Sequence, residues 1–271
     1  MPCTEMDFAF LRQFIQSRSE NVLDPSRVDL FEARLYRLWQ SYGLNGLDEL
    51  VYKLRFASDP VLDQAVVEAM TINETSFFRD HAPFDLMRQQ LIPRLLERRD
   101  QTRSLRFWCA ACSSGQEAYS LAMLLRQEFP QLADWEIRII GSDIHADMVR
   151  RARAGRYQRM EINRGLPARY LLKFFRRDGE EWEIAPEVRA ICRFEQRNLA
   201  HAMSPFEKFD GILLRNVLFY FSEEMQRRIL GRIRCVLCHD GFLILGASER
   251  APLPDLWQPV ITNNTCYYTP V

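Results

Sequence analysis

Leu105-Arg-Phe-Trp-Cys-Ala-Ala-Cys-Ser-Ser-Gly-Gln-Glu-Ala-Tyr-Ser-Leu-Ala-Met123 decides the fold. Leu105 to Ala110 is an apolar run of strand length and aromatic content. Ala111, Cys112, Ser113, Ser114 and Gly115 are all small. Glu117, Tyr119, Leu121, Ala122, Leu124 and Leu125 then take up helical spacing. Strand, tight small-residue turn and helix predict the first unit of a nucleotide-binding α/β sheet. Small side chains there would let a ligand approach the backbone. Glu117 puts a carboxylate at the carboxyl end of the strand, which suits an ammonium group or hydroxyls and not a pyrophosphate. The dinucleotide pattern Gly-x-Gly-x-x-Gly is absent, since only Gly115 is present.

Outward from this unit, Trp135-Glu-Ile-Arg-Ile-Ile-Gly-Ser-Asp143 predicts a second strand, with a helix from about Ala146 to Ala154. Asp143 at its end suits ribose hydroxyls or a helix N-cap, and the two roles are compatible. Phe209–Arg215 and Phe242–Gly246 read as buried strands, the second after an Asp240-Gly241 turn. Val260-Ile261 and Cys266–Thr269 can close the sheet as a hairpin. Phe175 to Phe194, around an Asp178-Gly179 turn, reads as a small β insertion. Before Thr71 only helices are expected. Asp24-Pro25 and Asp59-Pro60 each pair an N-cap with proline at the first helical position. Arg27, Arg34 and Arg37 can share one flank of the second helix.

Composition bounds the function. Hydrophobic residues make up 47% and charged residues 27% of 271, as in a globular chain. Lys plus Arg equals Asp plus Glu, 36 against 36, so overall charge points to no nucleic-acid partner. Arginines nevertheless crowd residues 150 to 169, where Glu161 is the lone acid. No run approaches the roughly 20 apolar residues of a membrane span, and the first residues lack a signal-peptide pattern. A cytoplasmic location follows as an expectation. Seven cysteines do not suggest a disulfide scaffold. Cys109 and Cys112, with Cys235, Cys238 and His239, resemble a zinc set. The predicted topology puts the two pairs at opposite edges of the sheet, about 17–20 Å apart, against zinc–sulfur bonds of about 2.3 Å. No metal is expected.

Three motifs resemble the bacterial chemotaxis receptor methyltransferases, the CheR family. Thr71-Ile-Asn-Glu-Thr-Ser-Phe-Phe-Arg79 resembles the family's Thr-x-Asn-Glu-Thr-x-Phe-Phe-Arg. The other two are Ala110-Ala-Cys-Ser-Ser-Gly-Gln-Glu-Ala-Tyr-Ser-Leu-Ala122 and Arg215-Asn-Val-Leu-Phe-Tyr-Phe221. The resemblance spans nearly the whole chain. It implies a Rossmann-like S-adenosylmethionine-dependent methyltransferase domain of the α/β class, residues 73–271, with a small β subdomain at about 175–195. An all-α domain, residues 1–72, precedes it as a candidate for receptor docking. The implied activity is O-methylation of glutamates on the cytoplasmic domains of chemotaxis-type receptors, which are acidic helical bundles. The alternative is a cofactor-binding signalling scaffold without catalysis.

By motif position the resemblance assigns Asn73, Thr75, Arg79, Glu117, Asp143, Asn198, Leu199, Arg215 and Asn216 to S-adenosylmethionine or its product S-adenosylhomocysteine. Arg79 and Tyr220 fall at the reaction centre. The family often has glycine where Ala111 stands, glutamate where Gln116 stands and proline where Ala118 stands, and an Ala111 Cβ would crowd the cofactor. Members that tether to a receptor's C-terminal pentapeptide carry a longer loop than Arg177–Glu180, so no tether is expected. A monomer is expected, with neither nucleic acid nor membrane insertion. The four histidines fall outside all three motifs. This agrees with a carboxylate nucleophile, ionised at neutral pH and needing no general base.

Overall fold

In the computed structural model, residues 3–24, 28–201, 208–262 and 265–271 are described. Ser104–Ala110 forms strand β1, and its residues from Leu105 on are buried except Arg106. Such a run suits a strand with neighbours on both sides and helices on both faces. Strand β2, Glu136–Asp143, runs parallel to it from Ser104 opposite Glu136 to Ala110 opposite Ser142. The small sheet described below supplies strands β3 to β5. Strand β6, Cys192–Gln196, lies beyond β2, also parallel. On the other side, β7, Phe209–Leu214, pairs parallel with β1. Next comes β8, Leu237–Leu245, parallel to β7. The edge is antiparallel, with β9, Trp257–Ile261, and β10, Cys266–Pro270. Among the described residues the order is β6-β2-β1-β7-β8-β10-β9. The winding reverses between β1 and β7, and the carboxyl ends of strands at such a reversal form the usual ligand crevice of an open α/β sheet.

The sheet departs from expectation at Asp240-Gly241. These residues lie inside β8, and the register with β7 shifts between Phe209 and Gly211. A Cβ on Gly241 would stand 2.8 Å from the carbonyl oxygen of Asp210. The glycine therefore serves a close backbone approach at a bulge, a role it shares with turns in sequence.

The small sheet, ordered β3-β5-β4, also differs from expectation. Strands β4, Phe175–Asp178, and β5, Glu181–Ile184, flank the foreseen turn, but β5 pairs outward with β3, Arg156–Gln158, from before the insertion. The segment's last part, β6, belongs to the main sheet. Arg156 ties the small sheet together, reaching Asp178 at 2.6 Å and Glu181 at 2.8 Å. The arginine-rich stretch, one-sided in sequence, is largely partnered in space. Arg150 pairs with Asp147, Arg151 with Glu161, Arg164 with Glu74 and Arg169 with Glu128.

The chain divides into two compact units. One comprises Asn73–Leu218 and Arg227–Val271, and holds both sheets. The other comprises Met1–Ile72 with Phe219–Gln226. In the second, helices α1, Glu5–Ser19, α2, Val28–Ser41, α3, Leu47–Phe56, and α4, Pro60–Ala69, bury Leu11, Ile15, Phe31, Leu35, Leu50, Leu62 and Val66. Asp59 caps α4 by accepting from the N–H groups of Val61 and Leu62, as its position before Pro60 predicts. Pro25 and Arg27 lie outside the described residues. Arg34 is not on a solvated flank: its guanidinium donates to the carbonyls of Met70 and Thr71 at 2.8 and 3.2 Å. Arg37 is exposed. No helix among the described residues is long and apolar enough to cross a membrane.

Candidate active site

The loop after β1 leads into helix α7, Gln116–Glu128. It alternates in hand, with Ala111, Ser113 and Gly115 at φ of 56°, 49° and 92°. Protein contacts hold every step. Cys112 donates its N–H to Ser142 O at 2.9 Å, Ser113 donates its N–H to Asp143 Oδ2 at 2.8 Å, and Tyr157 donates its hydroxyl to Ser114 O at 2.8 Å. The smallness of Gly115 serves packing first. A Cβ there would stand 2.9 Å from Ala152 Cβ and 3.1 Å from the Phe194 ring.

Ala111 occupies a left-handed backbone position, which explains why glycine suits it. An L-residue there costs roughly 1–2 kcal/mol relative to the right-handed region. Ala111→Gly is expected to stabilise the protein by about 0.5–1 kcal/mol, since added freedom in the unfolded chain offsets part of the relief. Urea denaturation at neutral pH checks it; a destabilised variant would contradict the strain.

Asp143 ends β2. Besides Ser113 it accepts from His145 N–H at 3.0 Å. It is not the cap of the following helix α8, Ala146–Ala154; His145 is, accepting through Nδ1 from Asp147 N–H. Burial pushes the Asp143 carboxyl up, and the backbone N–H donors oppose that. One carboxylate thus joins the ends of β1 and β2 and sits only 6% exposed at the crevice.

The Asn73–Asp80 segment reaches the same crevice. Phe77 and Phe78 are buried, Phe78 stacks on Tyr170 with ring centroids 4.5 Å apart, and Phe78 N–H donates to Ser120 Oγ at 2.9 Å. Gly165 has no room for a Cβ against Phe77 O. Asn73 O accepts from Ser113 Oγ at 2.8 Å. These anchors carry Arg79 to the mouth of the crevice, where Nη1 donates to Glu74 O at 3.0 Å. Among the described residues Arg79 makes no ion pair: Glu74 pairs with Arg164 and Asp80 with Arg215.

Arg215, directly after β7, lies at the centre. Its side chain is 2% exposed, and Nη1 meets Glu117 Oε2 at 2.8 Å. Nη2 meets Asp80 Oδ2 at 2.6 Å and Arg79 O at 2.9 Å. Its buried Nε has no acceptor among the described residues. Burial pushes the Glu117 carboxyl up, while Arg215 and, at longer range, Arg79 pull it down. Asn216 follows at φ 59°. Asn198 Oδ1 accepts from Ala200 N–H at 2.9 Å. Helix α12, Glu223–Val236, supplies Arg232, which donates to Leu199 O at 3.4 Å and to Ala200 O.

The structure therefore gathers Asn73, Arg79, Glu117, Asp143, Arg215 and Asn216 around the carboxyl ends of β1, β2 and β7. Thr75 lies half-buried in the same Asn73–Asp80 segment. Tyr220 belongs to the helical unit, where its carbonyl accepts from Val22 N–H at 2.8 Å. Two residues escaped the sequence reading. Arg232 has no local signal. Glu249 had one: Gly246-Ala-Ser-Glu249 puts an acid just past a buried strand. Its carboxylate accepts from the N–H groups of Asn216, Val217, Leu218 and Gly246 at 2.7–2.8 Å.

A parallel sheet closed by an antiparallel edge, with acids after its first two strands, is the architecture of a Rossmann-like S-adenosylmethionine-dependent methyltransferase. The model of the CheR methyltransferase S-adenosylmethionine-binding domain matches residues 73–265. The chain belongs to the CheR methyltransferase family. It is 37% identical over 265 residues to chemotaxis protein methyltransferase 1 of Pseudomonas aeruginosa, covering 96% of each chain. It is 35% identical, with the same coverage, to chemotaxis protein methyltransferase Cher2 of Pseudomonas putida. With chemotaxis protein methyltransferase 1 of Vibrio cholerae it shares 34% identity over 91% of this chain and 90% of the relative.

Proposed function

We propose that this methyltransferase forms methyl esters on glutamate side chains in the cytoplasmic domain of a chemotaxis-type receptor, with Arg79 and Tyr220 at the reaction centre. One observation carries the reading. Half-buried Glu117 and buried Asp143 share a crevice with Arg79, an arginine without an ion pair among the described residues.

The donor set fits S-adenosylmethionine. Acids suit its ammonium and ribose hydroxyls, guanidinium groups suit its carboxylate, and Arg215 Nε still lacks an acceptor among the described residues. Bound there, the cofactor supplies a methyl group on a positively charged sulfur. Glu117 and Asp143 hold it, with Asn73, Thr75, Asn198, Leu199, Arg215 and Asn216 around it. The accepting glutamate, with an ordinary pKa of about 4.3, is already ionised at neutral pH. The chain's task is then position and exclusion of water. Arg79 can hold that carboxylate with a fork of two hydrogen bonds, and Tyr220 is assigned by its motif position. Arg79 orients and takes no proton.

Labelled methyl transfer to a purified receptor cytoplasmic domain tests this, read as base-labile label. Arg79→Lys and Tyr220→Phe are each expected to lower kcat by about tenfold or more. An unlabelled receptor would end the esterification reading, and unchanged kcat in both variants would remove the two residues from the centre.

The β4–β5 turn is only Gly179-Glu180, between Asp178 and its partner Glu181. The proposal therefore includes no pentapeptide tether. A receptor shortened by its last five residues is expected to be methylated as fast as the intact one, and slower methylation would show a tether.

A further inference from the structure

The turn after β7 is held by a single side chain outside all three motifs. Glu249 is 5% exposed. Its Oε1 accepts from Val217 and Leu218 at 2.8 and 2.7 Å, and its Oε2 from Asn216 and Gly246 at 2.8 and 2.7 Å. Three successive backbone N–H groups thus converge on one anion, an arrangement that binds carboxylates and phosphates elsewhere. Here the anion belongs to the chain. No ion pair to Glu249 occurs among the described residues; the backbone dipoles balance its charge.

The arrangement fixes what precedes it. Asn216 is at φ 59°, a left-handed conformation that asparagine adopts more readily than most residues, and the bond from its N–H to Glu249 ties that turn in place. Its N–H bond to Glu249 immediately follows Arg215, whose guanidinium must reach Glu117, Asp80 and Arg79 O together. The packing is close: a Cβ on Gly246 would stand 2.6 Å from Glu249 Oε2 and 2.9 Å from Asn216 N.

We infer that Glu249 is a positioning residue for methyl transfer: it sets the Arg215–Leu218 turn, and through it the Arg215–Glu117 pair on which cofactor binding depends. The inference rests on the proposed placement of Arg215 and Asn216 at the cofactor. Glutamine is nearly the same size but cannot replace glutamate here. Its NH2 group would face two N–H donors whichever way the amide turned. Aspartate keeps four acceptor sites but is one methylene short.

Two measurements on the full chain test it. In cofactor-free protein, amide exchange at Asn216, Val217, Leu218 and Gly246 is expected to speed up at least tenfold in Glu249→Gln, and less in Glu249→Asp. Calorimetry with S-adenosylhomocysteine is expected to show binding weakened tenfold or more in Glu249→Gln, with an intermediate loss in Glu249→Asp. KM for S-adenosylmethionine should rise in the same order. If Glu249→Gln does not fold, Glu249→Asp and Gly246→Ala carry the test, each expected to weaken binding at least threefold. A folded variant that melts lower but keeps the dissociation constant and KM of the parent overturns the inference, because Glu249 would then be structural only. Arg215→Lys separates the two levels. If it too leaves binding unchanged, the placement of Arg215 at the cofactor is wrong; if it alone weakens binding, only the role of Glu249 is.

Discussion

Replacing Arg215 with methionine is expected to abolish S-adenosylhomocysteine binding and to destabilise the fold by about 3–5 kcal/mol. The size follows from what remains behind. The guanidinium is 2% exposed and serves Glu117, Asp80 and the carbonyl of Arg79. Without it, Glu117 stays in the crevice with no bonded partner, and burial already pushes that carboxyl up. A carboxyl raised above its unfolded value binds a proton on folding. The deficit of the variant should therefore be greatest at neutral pH and shrink as the pH falls toward the raised value. Urea denaturation between pH 5 and 8, with calorimetry at neutral pH, measures both effects. A loss under about 1 kcal/mol with binding intact would mean that the pair is dispensable.

Arg99→Met should cost a comparable amount, about 3–5 kcal/mol at neutral pH, without touching the crevice. Arg99 ends helix α6, Ile92–Arg99, and its Nε meets Asp210 at 2.8 Å. Its two terminal nitrogens grip Asp240 at 2.6 and 2.9 Å. Asp210 in turn accepts from Arg106 N–H at 2.8 Å. The arginine thus fastens the helix to β7 and β8 at the bulge, at the end of the sheet away from the carboxyl-end loops. The fork holds the Asp240 carboxyl below its ordinary range. A lowered acid contributes stability above its unfolded pKa, about 3.9, and loses it as the pH falls through the folded value. Parent and variant should therefore converge below about pH 4. A gap that stayed constant from pH 7 to 3 would assign the loss to packing of the arginine stem instead.

Local patterns carried much of the architecture. The Leu105–Met123 stretch announced strand, turn and helix through its change from strand to helix period, and Asp59-Pro60 announced a cap. Asn73, Arg79, Glu117, Asp143, Arg215 and Asn216 could be named because each lies in a motif or at a strand end. What escaped the reading was nonlocal. Pairing of β3 with β5 joins segments separated by two helices. Partners such as Glu74 for Arg164 are far apart in sequence, so the arginine-rich stretch looked unbalanced. The spacing of Phe84, Leu86, Met87, Leu91, Ile92, Leu95 and Leu96 predicts one helix, but its turns widen at Met87–Leu91 before Pro93, where Ile92 N–H reaches back five residues to Met87 O. A proline without an N–H accounts for the widening. Asp240-Gly241 misled because glycine serves a turn and a close backbone approach equally well.

The helical unit has a consequence for how the chain is made. Asn21 bridges Phe221, and Val22 donates to Tyr220 O, so a piece some two hundred positions downstream completes the first unit. On the ribosome its helices emerge early, but this last pairing waits until most of the catalytic sheet has been translated. The first 72 residues expressed alone would lack that closing segment.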